Sequence, residues 1–131
     1  MASIDDPAVR ALLDGPNHAV ISTLNADGSV HSTVVWQELV GGTVGINSAL
    51  GRRWPTNLQR DPRITVVVYA GDNPYEYVEI QGTATSSTAG ADAQINRLSS
   101  KFTGAASFEG PATDVRISFA VYPTRLNHYR N

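Results

Sequence analysis

The chain contains no cysteine. That removes disulfide scaffolds, thiolate metal centres and cysteine nucleophiles at once. It also lacks any apolar run near the roughly 20 residues of a membrane-spanning helix, and its N-terminus has no charged-then-apolar signal pattern. A soluble cytoplasmic protein with no membrane partner is expected. Net charge is only −2, so no global field recruits nucleic acid. Catalytic signatures are missing too: there is no G-x-S-x-G, no P-loop and no G-x-G-x-x-G. His18, His31 and His128 are too dispersed for a motif such as H-x-x-x-H, and no acidic pair accompanies them, so no metal site is expected. No acid, base or nucleophile stands out, and no catalytic residue is assigned. Such a profile fits a protein whose reactivity resides in a bound cofactor, the chain supplying orientation and electrostatics.

What the sequence does contain is a concentrated basic stretch. Four of its ten Lys/Arg residues, Arg52, Arg53, Arg60 and Arg63, fall between positions 45 and 63. The stretch begins as a strand end carrying Asn47 and Ser48, turns at Gly51, and runs into a short helix that must stop before Asp61-Pro62. A helix start beside arginines suits a phosphate, because free N–H groups, the positive dipole end and forked guanidinium donors converge there. A basic loop on a solvated surface would have the same composition.

The 131 residues form one domain, 1–131, able to bury roughly two-thirds of its unfolded surface. Asp5 or Asp6 caps a short helix opening at Pro7, with Val9, Leu12 and Leu13 as its apolar stripe and Gly15 as its stop. The period then changes to two. Residues 19–24 read as a strand, 25–28 as a hairpin turn, and 29–39 as its partner, closed by Gly41-Gly42 before a third strand at 43–46. Residues 64–69 are β-branched and nearly continuous in apolar character, as in strands buried on both faces. After a turn at 71–74, residues 75–85 form a strand with Tyr75, Tyr77, Glu79 and Gln81 on one face. A longer helix follows, capped by Ser86 or Ser87, with Ala91, Ile95, Leu98 and Phe102 on one stripe. Residues 103–113 form a Gly/Ala/Ser-rich loop. A last long strand covers 115–122, ended by Pro123, with a short terminal one at 126–129. About six antiparallel strands with hairpin spacing, two short helices and one excursion helix predict a mainly β, small closed or partly closed barrel.

Trp36 closes an alternation with Val30 and Val34 and reads first as core. If that set faces the interior, His31 and Thr33 look outward toward a groove. Tyr75 and Tyr77 share a wet face, which suits a subunit contact or a ring-stacking wall.

Three segments, D-G-S-V-H-S-T-V-V-W, G-I-N-S-A-L-G-R-R-W-P-T-N-L-Q-R-D-P-R-I and N-P-Y-E-Y-V-E-I-Q-G, occur here in that order. Together they resemble the split β-barrel flavin/deazaflavin oxidoreductase superfamily related to pyridoxamine 5′-phosphate oxidase, and most of all its B branch, which uses coenzyme F-420 in actinobacteria. The resemblance implies a homodimer with each cofactor in a groove at the subunit interface. Carried over by position, it places Asn47, Ser48 and Ala49 along the deazaflavin and ribityl region. Arg52 and Arg53 would hold the phosphate and the acidic tail, His31 and Thr33 would border the ring, and Tyr75 and Tyr77 would approach from the neighbouring subunit. Asn57 is counted with the cofactor-binding residues, its expected part being to tie down the helix turn. Many members carry lysine where this chain has Trp54. Here the indole is expected either as one wall of the pocket, the favoured placement, or packed under the helix. The implied activity is an F-420-dependent reductase passing a hydride to an electron-poor conjugated acceptor. An FMN-dependent enzyme on the same fold, or a non-catalytic carrier of a flavin, tetrapyrrole or fatty acid, are the alternatives.

Overall fold

A computed structural model of the chain describes residues 2–130. The elements run α1 (Pro7–Asp14), β1 (Ala19–Leu24), β2 (Val30–Val35), β3 (Glu38–Val40), β4 (Thr43–Ala49), α2 (Arg53–Arg60), β5 (Arg63–Ala70), β6 (Asn73–Ser87), α3 (Ala91–Thr103) and β7 (Arg116–Tyr129). The seven strands form one antiparallel sheet in the order β2-β1-β5-β6-β7-β4-β3. This is the mainly β, split-barrel architecture that the alternation predicts, with one strand more than expected.

The extra strand comes from a break in the second hairpin arm. Residues 29–39 are not one strand, because β2 ends at Val35 and β3 starts at Glu38. The side chain of Gln37 accounts for the bend: it is fully buried, and its amide nitrogen donates to the carbonyls of Leu13 and Asn17, both at 3.1 Å. Two acceptors from another element hold the chain out of the ladder at that point.

The last strand departs in the opposite sense. Pro123 does not end it, and β7 continues to Tyr129. The ladder between β6 and β7 shifts register at Gln81/Gly82, and Pro123 sits opposite Gly82. A bulge is where proline is tolerated in a sheet, since its missing N–H is not called on there. Gly82 permits the close approach, because a Cβ at that position would collide with the carbonyl oxygen of Tyr122.

The core lies between the curled sheet and the helices. Ile21, Val44, Ile46, Val66, Val68, Val78, Ile80 and Val121 are all fully buried and meet Val9 and Leu13 of α1. Each such side chain contributes about 1.5–3 kcal/mol by leaving water. Strand β5 alternates instead of being buried on both faces: Ile64, Val66 and Val68 point inward, while Thr65 and Val67 are half-open. Helix α3 starts at Gly90 in the left-handed region, so Ser86 and Ser87 are strand residues and not caps. Its buried face carries Ala91, Gln94, Ile95 and Leu98, and it packs on β4 and β7.

Candidate functional site

The strand end 47–49 and the helix after it are placed as the sequence leads one to expect. Gly51, at φ 91°, makes the turn, and α2 begins at Arg53 with Arg52 as its uncapped N-terminal residue. The positive end of the helix therefore borders a groove of about 560 Å³. His31 and Thr33 of β2, Asn47 and Ser48 of β4, and Arg52, Arg53 and Trp54 line that groove. Seven of the expected site residues thus meet in one place, with His18, Val34, Val35, Trp36, Ile95, Leu98, Phe108 and Arg116 completing the walls.

The basic stretch divides. Arg60 turns away, donating to the Leu24 carbonyl and to Asn57 Oδ1 at 3.1 Å. Arg63 pairs with Asp61 at 2.7 Å. The hydrogen bond from that guanidinium holds the Asp61 carboxyl down at about 2. Only Arg52 and Arg53 stand at the groove. Arg53 is exposed at the first helical position, and Arg52 reaches Asp114 Oδ2 at 3.2 Å.

Several expected contacts are placed differently. Ala49 is buried and outside the groove lining. Asn57 is buried under α2, where its amide nitrogen donates to Thr23 Oγ1 at 3.1 Å and Asn25 Oδ1 at 3.0 Å. It pins the helix to the first hairpin, the tie expected of it, and is not among the residues lining the groove. Trp54 is only 7 % exposed and packs against Phe119 with ring centroids 5.3 Å apart. The indole therefore packs under the helix, adding to the floor of the groove instead of standing as a free wall. Tyr75 and Tyr77 lie away from this groove on β6; Tyr75 is 68 % exposed, and Tyr77 stacks on Tyr129 at 4.8 Å.

The apolar set of β2 is also reversed. Val30 and Val34 are 64 % and 60 % exposed, while His31, Thr33 and Val35 turn toward the groove and are half-buried. The strand sits at the edge of the sheet, so the alternation marks a face open on this chain. Trp36 is not core either. Its ring stacks on Phe102 at 5.6 Å and 8°, and meets Phe108 edge-on at 6.2 Å. His18 lies 5.2 Å from the same Phe102 ring. The groove thus combines an aromatic wall, Trp36 and Phe108, with the guanidinium groups of Arg52, Arg53 and Arg116.

Arg116 is the main residue that the sequence does not single out. It alternates with Ser118 and Tyr122 on what reads as an outer strand face, so no local pattern marks it. In the fold its side chain is 9 % exposed and points to Asn47, with Nε donating to Oδ1 at 3.0 Å. Its guanidinium also lies 5.0 Å from the Phe108 ring. Burial, and after it the charge of Arg52, pushes the guanidinium below its ordinary value. Phe102 and Phe108 escape notice for a similar reason: one sits on a helical stripe that reads as core, the other in an irregular loop.

Asn47 is the hub of the site. Besides accepting from Arg116, its Nδ2 donates to the Ala91 carbonyl and to Gln94 Oε1, each at 2.9 Å. Every polar atom of its side chain is engaged within the protein, so it sets the groove's shape. A long ligand with a planar ring system at one end and an anionic group at the other fits this arrangement, ring toward Trp36 and Phe108, anion toward Arg52 and Arg53. A deazaflavin or flavin phosphate has that form. Among the described residues, no group of three His, Asp or Glu side chains is arranged to hold a metal ion, and no helix is long and apolar enough to cross a membrane.

Comparison with known proteins adds the lineage. The sequence profile of the family described as Pyridoxamine 5'-phosphate oxidase matches residues 5–129. No match was found among curated proteins. Among solved structures, an F-420 reductase superposes with a TM-score of 0.80 at 23 % identity, covering 90 % of this chain and 94 % of its own. General Stress Protein 26 from Bacillus anthracis gives 0.70 at 14 %, covering 93 % and 91 %. A heme binding protein from Mycobacterium smegmatis gives 0.71 at 17 %, covering 98 % of this chain and 54 % of its own. At these identities the likeness is one of fold.

Proposed function

The chain belongs to the pyridoxamine 5′-phosphate oxidase family, and we propose that within it the protein is an F-420-dependent reductase of electron-poor, conjugated small molecules. The observation that carries this reading is that one groove is lined both by Arg52 and Arg53 and by the aromatic pair Trp36 and Phe108, with Phe102 stacked behind Trp36. The likeness in fold to an F-420 reductase supports it.

In this reading the N-terminus of α2, Arg52 and Arg53 hold the phosphate and acidic tail by charge-assisted hydrogen bonds. Ser48, His31 and Thr33 border the ring system. When bound in its reduced form, the deazaflavin supplies a hydride. The chain's contribution is placement and exclusion of water: Trp36 and Phe108 present flat apolar surface against which a conjugated acceptor can stack, holding it in contact with the ring. Asn47 and Arg116 keep the groove walls apart without taking part in the transfer.

The functional unit in this proposal is a homodimer. Val30, Val34, Tyr75 and Tyr122 are large apolar side chains exposed on one chain. Beside Val30 lies a depression of about 380 Å³ lined by Leu24, Ile64, Gln81 and Thr124. The partner proposed for the Val30 and Val34 edge and this depression is a second copy of the chain. A second copy packed there would bring Tyr75 and Tyr77 toward the groove.

A carrier reading has one observation in its favour, since His18 and His31 both line the groove and a solved heme binding protein shares the fold. Turnover separates the two. Reduced F-420 mixed with the protein and a panel of quinone-type and nitroaromatic acceptors should be reoxidised in proportion to enzyme concentration. Tight binding of haem with no acceleration for any acceptor would support the carrier instead.

A further inference from the structure

Three arginines line the groove, and one carboxylate answers them. Arg52 reaches Asp114 Oδ2 at 3.2 Å, and Arg116 Nη1 reaches the same oxygen at 3.5 Å. Arg53 adds a third charge, lining the same groove. The Arg116 side chain is nine-tenths buried, yet its contact with that shared oxygen is long for a hydrogen bond. Its other polar contact is with Asn47, a neutral group. A buried guanidinium cannot shed its proton, so an anion with more than one oxygen to offer would balance it better than the shared one. The charge of Asp92 acts on Arg116 in the same stabilising sense as Asp114, but Asp92 makes no hydrogen bond to it.

Asp114 belongs to a segment tied to the rest of the fold on both sides. The Val115 carbonyl accepts from Leu50 N at 2.9 Å, just before the turn into α2. The Phe108 N–H donates to Asn96 Oδ1 at 2.9 Å, which sets the Phe108 ring under Arg116. The carboxylate is therefore delivered to the two arginines by a loop and not by a regular element.

We propose that Arg116 and Arg52 form an oxyanion-binding centre for a phosphoryl or carboxylate group, and that Asp114 is its resident occupant, displaced when that group binds. The ligand's oxyanion, with several oxygens, gives Arg52 and Arg116 separate acceptors in place of the one Asp114 oxygen they now share. Displacement removes the side-chain tie between the two arginines and the loop that carries Phe108, so anion binding is linked to the groove's aromatic wall. As to the oxyanion's source, and only there, the proposal rests on the F-420 reading: it belongs to the cofactor's phosphate or tail, or to free phosphate.

Calorimetric titration of the whole protein with inorganic phosphate, and separately with F-420, tests both levels. Asp114→Asn keeps the side chain's shape and removes the competing charge. It should tighten phosphate binding by about threefold and steepen its loss with salt. Arg116→Gln should weaken both ligands by roughly tenfold or more. A purely structural Asp114 predicts the reverse, with Asn leaving binding unchanged or weaker, and that result overturns the proposal. Should Asp114→Asn fail to fold, the arginine Nε–H resonances of the wild-type protein decide. Arg52 and Arg116 should shift together along one phosphate isotherm, and shifts in neither contradict the centre. Phosphate binding that responds to Asp114→Asn, without any binding of F-420, leaves the centre standing and rejects the cofactor reading.

Discussion

Replacing Asn47 with alanine separates a scaffolding role from a ligand contact. Its amide makes three internal hydrogen bonds: to the Ala91 carbonyl and Gln94 Oε1 at 2.9 Å, and from Arg116 Nε at 3.0 Å. The bond to Arg116 is charge-assisted, worth about 1.5–3 kcal/mol, and the two neutral bonds about 0.5–1.5 kcal/mol each. The plain sum is about 2.5–6 kcal/mol, but water admitted beside Arg116 would satisfy part of it. A loss of about 3 kcal/mol is the expectation, a large share of the 5–15 kcal/mol that a domain of this size typically has. Urea denaturation should then show a midpoint lower by about 1–2 M with an unchanged slope. Asn47→Asp should lose less, since it keeps an acceptor for Arg116 while setting an oxygen against the Ala91 carbonyl. Should Asn47→Ala cost under about 0.5 kcal/mol, the side chain is not the hub described, and its place at the groove would have to be explained by ligand contact alone.

Three further outcomes follow from the same geometry. Light scattering should give a dimer for the wild type and a monomer for Val34→Lys, because a charge at that exposed β2 position cannot be buried in an interface; a wild-type monomer at micromolar concentration would remove the interface. With Trp54 7 % exposed, its emission in a Trp36→Phe background should be blue-shifted and weakly quenched by F-420, while Trp36 emission in Trp54→Phe should be strongly quenched; the opposite order would return the indole of Trp54 to the wall. Since Arg63 holds the Asp61 carboxyl at about 2 against an ordinary 3.8, their pairing stabilises the fold above pH 3.8 and is lost as pH falls through about 2. Asp61→Asn should therefore flatten the melting-temperature profile over that acidic window, and identical profiles would dismiss the pair.

The sequence made the frame of the molecule legible and left its site half-written. The stops at Gly15 and Asp61-Pro62, the hairpin at 25–28 and the inward set Val78 and Ile80 follow from local chemistry, and all of them are found. Local chemistry also supplied the strand-turn-helix that brings Ser48, Arg52 and Arg53 to one groove. It misled wherever a long-range partner decided. Gln37 breaks a strand because Leu13 and Asn17 offer it acceptors. Pro123 continues one because a bulge opposite Gly82 relieves it. Val30 and Val34 alternate as a core face would but stand exposed, since period alone does not say which side of an edge strand is covered. Arg116 and Phe108 acquire meaning only through Asn47, Asp114 and Trp36, each brought in from another part of the chain.

The central claim is that the groove holds a phosphate-bearing deazaflavin between Arg52/Arg53 and the Trp36–Phe108 wall. Competitive calorimetry of the purified protein with F-420 and FMN tests it most directly, with Arg53→Ala as the control. The account predicts saturable F-420 binding, one per protomer, tighter than FMN and weakened roughly tenfold by Arg53→Ala. Failure to bind F-420, or tighter binding of FMN that is indifferent to Arg53, would contradict it.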